Sequence, residues 1–122
     1  MAETDGRGEL RKGRDTMADG VLVKQSKRYD NMQFLYWWDI APDLVPHLDE
    51  YDALVFHCKD TGRSCKVAVS DLKPYLRSDR QTTRGDGNWG IRVLKRHRNE
   101  LSFEPGAHDG KWLFMPVTWT NR

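Results

Sequence analysis

The two cysteines and four histidines are the residues of this chain best suited to metal or nucleophilic chemistry. Thiolate and imidazole are preferred zinc ligands, so His57, Cys58 and Cys65 with His97 or His108 would make up a four-ligand set. A strand through residues 57 and 58 points those neighbours to opposite faces, which separates the imidazole from the thiol. The same separation works against a Cys–His nucleophile, which needs an imidazole beside the sulfur and a third group to orient it. Two cysteines facing each other in an apolar row pack as small hydrophobes, with a metal site or a reversible disulfide as the other options. No metal ligand set, cofactor or catalytic residue is assigned.

Acidic residues converging on a cation would suit nuclease chemistry. Glu100 and Glu104 flank the expected Leu101–Phe103 strand, and Asp79 and Asp86 sit in the preceding loop, but no spacing selects a pair. Gly-rich phosphate loops, H-E-x-x-H pairs and G-x-S-x-G elbows do not occur. The reading therefore favours a binding module over an enzyme. The remaining candidate is the basic stretch, in which Arg77, Arg80, Arg84, Arg92, Lys95, Arg96 and Arg98 would contact phosphates and Trp89 would offer a stacking face. A solvated charged loop, with Trp89 in the core, is the alternative. Trp37 and Trp38 are adjacent on an expected strand and must face opposite ways, so one of them calls for a pocket or a partner surface.

The elements that would position these groups follow from pattern. Residues 54–69 read as a hairpin with Thr61-Gly62 at its tip, which sets Cys58 against Cys65, Phe56 against Val67 and Leu54 against Val69 on one apolar face. Ser70 is placed to cap a short helix through Leu76. Met32–Trp38 is a buried strand, and residues 40–48 form a short or broken helix because Pro46 falls in its interior. Trp89–Leu94 alternates as a half-buried strand, Leu101–Phe103 is its antiparallel neighbour, and Lys111–Trp119 is a last strand interrupted at Pro116. Residues 1–20 are polar and are read as a disordered tail or linker. Residues 21–122 form a single α+β domain, a mainly antiparallel sheet with two short helices packed on it.

Composition sets the outer bounds. The chain has 122 residues, 38% hydrophobic and 31% charged, which suits one small core. No apolar run approaches the ~20 residues of a membrane span, and the polar start lacks a secretory h-region, so a cytoplasmic address and no membrane partner are expected. The net charge of +2 is small, yet residues 59–98 carry eleven bases against four acids, a balance of +7. That asymmetry, not the total, motivates the nucleic-acid reading.

The order of several fragments also resembles a small α/β accessory module found with bacterial restriction endonucleases and related DNA-defence proteins. These are Phe34-Leu-Tyr-Trp-Trp38, Ile40 with Pro42, Val55-Phe-His-Cys58, Val67 to Leu76, Thr82-Thr83 and Trp89-Gly-Ile-Arg-Val93. The likeness spans residues 34–119. His57 stands where the family has Gly before the cysteine, and Gly90 where it has His after the tryptophan. The resemblance implies a DNA-associated accessory domain in a bacterial protein and carries over no catalytic residue. The expected function is thus a non-catalytic nucleic-acid-binding module, with DNA or another nucleic acid as partner. The alternative is a protein-interaction or self-association domain using Trp37 and Trp38, and the third option is a metal-dependent nuclease or thiol enzyme.

Overall fold

The computed structural model describes residues 15–18, 20–81, 87–106 and 110–120. Among the described residues, eight strands run β1 (Asp15–Ala18), β2 (Val21–Ser26), β3 (Phe34–Ile40), β4 (Ala53–Cys58), β5 (Ser64–Ala68), β6 (Trp89–Leu94), β7 (Glu100–Phe103) and β8 (Leu113–Pro116). They form two four-stranded sheets, β1-β2-β4-β5 and β3-β6-β7-β8. The helical pieces are a 3-10 helix at Val45–Glu50, the single turn α1 (Val69–Leu72), and 3-10 turns at Lys73–Tyr75 and Ser78–Arg80. The α+β class holds, with two sheets in place of one. No helix among the described residues is long and apolar enough to cross a membrane.

All strand pairs are antiparallel except β2 with β4, which run parallel from Val21↔Ala53 to Ser26↔Cys58. A parallel pair needs a crossover, normally a helix. Here the chain crosses to the second sheet as β3 and returns through residues 41–52. The inner faces of the two sheets then meet: Trp38 of β3 stacks edge-on against Phe56 of β4 at 5.4 Å, and Ile40, Leu54, Ile91 and Leu101 are fully enclosed. Burying each such side chain contributes about 1.5–3 kcal/mol.

The region read as a tail contributes a strand, since Asp15–Ala18 pairs with Val21–Lys24 across the Gly20 turn. Gly20 has φ of 79°, a left-handed value that favours glycine in so tight a reversal. The fold therefore includes residues 15–18, while residues 1–14 lie outside the described ones.

The β4–β5 hairpin differs from expectation by two residues. Leu54 opposes Val67, and Phe56 opposes Cys65. Cys58 instead bonds from its N–H to the Arg63 carbonyl, at 2.8 Å. The cause is the loop: Gly62 at φ of 76° sits at its end and not at its tip, which moves the centre back by one residue. An even slip preserves the faces, so Leu54, Phe56, Cys58, Cys65 and Val67 remain buried together.

Two helix expectations also shift. α1 begins at Val69 from an extended Ala68 and has no side-chain cap, so Ser70 lies within the turn and not before it. Val69 and Leu72, three apart, go into the core and set that phase. The helical piece after β3 starts at Val45, later than expected, which places Pro46 in its first turn, where its missing N–H costs nothing.

Candidate functional site

The predicted bases do not all share a surface: Lys95, Arg96 and Arg98 are exposed on one turn, and the others lie elsewhere or outside the described residues. Arg80 is 1% exposed, and its guanidinium donates to the carbonyls of Lys111 at 2.7 Å, Glu104 at 3.0 Å and Phe103 at 3.3 Å. It is a clamp between the 3-10 turn at residues 78–80 and the chain leaving β7, and no phosphate can reach it. Trp89 is also buried, donating its indole N–H to the Arg77 carbonyl at 2.8 Å, so it is a core residue and not a stacking platform.

Arg92 lies on the outer face of the second sheet. Its guanidinium sits 4.3 Å from the Phe34 ring centre and 5.0 Å from that of Trp37, and it pairs with Glu104. Arg92 is thereby occupied and withdrawn from the predicted phosphate surface. It also explains the tryptophan pair: Trp38 is 2% exposed in the core, whereas half-buried Trp37 lies beneath Arg92 with its indole N–H donating to the Asp39 carboxylate at 3.0 Å. Phe34 joins Trp37 on that face because the strand bulges between Phe34 and Tyr36, shifting the alternation by one.

Arg84 and His108 lie outside the described residues. Arg77 is exposed, as are Lys95, Arg96 and Arg98. However, Arg77 sits at the Trp89 end of β6, and Lys95 follows its other end. Six strand residues separate the two by roughly 17 Å.

What the fold does gather is a different set. The strands alternate in direction, so every second connection falls at the same end of the molecule. Residues 27–33, 59–63, 95–99 and 117–120 meet at one pole. Lys95 N–H bonds to the Gln33 carbonyl at 3.1 Å and Lys59 N–H to the Ser26 carbonyl at 2.9 Å. Arg28 reaches Asp60 at 3.8 Å, Val117 N–H bonds to Asn99 at 3.1 Å, and the Trp119 indole bonds to the Arg98 carbonyl at 2.8 Å. Lys27, Arg28, Lys59, Arg63, Lys95, Arg96 and Arg98 are all exposed there, against Asp30, Asp60 and Glu100, a local balance of +4.

Residues 41–52 and 69–75 lie at the other pole, joined by the bond from Val69 N–H to the Asp52 carbonyl at 3.0 Å. They carry exposed Asp43, Asp49, Glu50, Asp52 and Asp71 against Lys73, and exposed Arg77 and Lys111 lie at the same end, so five acids face three bases, a balance of −2. The domain is electrically polar along its strands.

Lys27, Arg28, Lys59 and Arg63 were not among the expected contacts because they lie outside the dense run or at its edge. The signal that finds them is alternation: strands of four to seven residues joined up and down return every second loop to one end.

The cysteines sit just under this pole and are chemically quiet. Burial pushes the Cys58 thiol up to about 12, helped by the nearby Asp60 carboxylate, and burial with the neighbouring Cys58 does the same to Cys65. The Tyr36 hydroxyl, buried and donating to Asp60 at 2.7 Å, is raised to about 12 as well. A thiol in that range supplies almost no thiolate near neutral pH. Among the described residues, no group of three or more His, Cys, Asp or Glu side chains is placed to hold a metal ion. His57 and Cys58 are on opposite faces of β4, His57 half-buried and Cys58 in the core. Comparison with family models, with curated proteins and with solved structures gives no match.

Proposed function

We propose that this domain is a non-catalytic nucleic-acid-binding module of the bacterial cytoplasm, and that its contact surface is the basic pole and not the continuous basic run. The observation that carries the reading is the convergence of seven exposed bases from three loops, with only three acids among them. Phosphate binding requires several cations on one surface, and the acids at the opposite pole would orient the domain end-on to a polyanion. The resemblance of residues 34–119 to an accessory module of restriction endonucleases is in keeping with a DNA-associated role. The test is a titration of labelled DNA and RNA at two salt concentrations, with the wild type and the triple variant Lys95→Gln, Arg96→Gln, Arg98→Gln. Affinity should fall steeply with salt and fall again in the variant. Failure of the wild type to bind at low salt would overturn the proposal.

A second reading, protein docking, draws on a different feature. A cleft of about 770 Å³ opens between edge strands β5 and β8, lined by Lys66, Val67, Tyr75, Met115 and Val117 among others. It lies apart from Trp37 and Trp38, the residues first expected to form such a surface. An oligomer that persists at high salt and dissociates on Val117→Asp substitution would favour it.

A further inference from the structure

We infer that Trp119 is a base-stacking position within the basic pole, and that the favoured ligand is single-stranded nucleic acid. The inference rests on the nucleic-acid reading above and adds its specificity.

Trp119 is held from both sides. Two residues before it, Val117 N–H bonds to the Asn99 carbonyl at 3.1 Å, and one residue after it, Thr120 exchanges backbone bonds with Ser64 at 2.8 and 2.9 Å. The indole N–H donates to the Arg98 carbonyl at 2.8 Å, which fixes the ring's rotation. The ring is therefore wedged between the 59–63 and 95–99 loops, each of which carries exposed bases. The Arg63 guanidinium lies over the ring at 5.7 Å from its centre. Arg63 is itself exposed, so it can swing to a phosphate and leave its place over the ring to a base.

The other tryptophans lack this combination. Trp38 and Trp89 are buried, and Trp37 lies under Arg92, which Glu104 holds in place. Trp112 is half-buried in the connection before β8, at the acidic pole. A fixed aromatic ring flanked by cations on two loops matches what an unpaired base needs. Its π-face stacks, and the phosphates on either side meet Arg63 and the 95–98 turn. A continuous duplex keeps its bases stacked on one another and offers that ring nothing but a backbone.

The test uses the full chain with two fluorescent probes, a short oligothymidylate and a closed hairpin duplex with the same number of phosphates, at low and moderate salt. Oligothymidylate should bind more tightly than the duplex, and Trp119→Ala should weaken oligothymidylate by about tenfold while barely changing the duplex. Trp119→Leu, which keeps apolar volume beneath Arg63 without a π-face, should do the same and carries the test if the alanine variant fails to fold. Trp119→Phe should recover most of the loss. Equal or tighter binding of the duplex, or no selective loss in folded Trp119→Leu, overturns the stacking inference. If the Lys95, Arg96, Arg98 triple variant still weakens both probes in that case, the basic-pole reading survives. Absence of any wild-type binding removes both.

Discussion

The buried thiols and Arg80 show how residue type alone misleads about chemistry. Cys58 and Cys65 keep their protons because the enclosed face of the hairpin disfavours a thiolate, and each shift runs upward to about 12. Neither cysteine should react with iodoacetamide in the native protein at pH 8, and both should react once it is unfolded in denaturant, as mass spectrometry would show. The linkage has a definite sign. A raised folded-state value stabilises the protonated form, so the contribution is fully present below about 9, the thiols' ordinary value, and drains away as pH climbs toward 12. Denaturation midpoints should accordingly hold from neutral pH to about 9 and then fall, with Tyr36 adding to the decline above its own ordinary value near 10. Arg80 reads as a phosphate ligand in the linear sequence because nothing there reveals which carbonyls a guanidinium will meet. Its removal leaves three carbonyls short of a donor, and Arg80→Ala should lower unfolding free energy by about 3 kcal/mol in a denaturant titration. A surface arginine would lose almost nothing.

Elements were more legible than sites, for a physical reason that the hairpin makes plain. A period-two apolar pattern fixes which face of a strand is buried, so the enclosed row Leu54, Phe56, Cys58, Cys65 and Val67 was readable from alternation alone. Register within that face depends on the turn, where one residue of difference in the loop centre displaces every pair by two without exposing anything. The bulge at β3 was hidden for a related reason, since Phe34 and Trp37 look like ordinary members of one apolar run until β6 is laid beside them. The partition into two sheets was likewise invisible, because the crossover through β3 is set by packing and not by local preference. A Cβ placed on Gly90 would fall on the Glu104 carboxylate, which lies across that glycine on its way to Arg92. Gly90→Ala should therefore push Glu104 off Arg92 and destabilise the domain by about 1–3 kcal/mol. If instead Glu104 gives way freely, Gly90→Ala and Glu104→Gln together should cost no more than Glu104→Gln alone.

At the scale of the whole molecule, the charge asymmetry in the sequence was real but its grouping was not the one that adjacency suggests. The run from Arg77 to Arg98 passes through β6, which carries the chain from one pole to the other, so part of the run ends up at the wrong end or in the core. Conversely, Lys27, Arg28 and Arg63 arrive from other loops because the strands alternate. This yields the prediction that most sharply separates grouping by fold from grouping by sequence. On the proposed binding surface, the triple variant Lys27→Gln, Arg28→Gln, Arg63→Gln should weaken nucleic-acid binding about as much as Lys95→Gln, Arg96→Gln, Arg98→Gln. Each should flatten the dependence of log affinity on log salt by about one for every phosphate the variant no longer engages. Arg77→Gln, although inside the densest basic segment, should change neither affinity nor slope, since its backbone is tied to the Trp89 end of β6, roughly 17 Å from the turn that follows Leu94. An Arg77→Gln defect as large as that of either triple variant would mean that the ligand follows the linear run along the strand and not the pole.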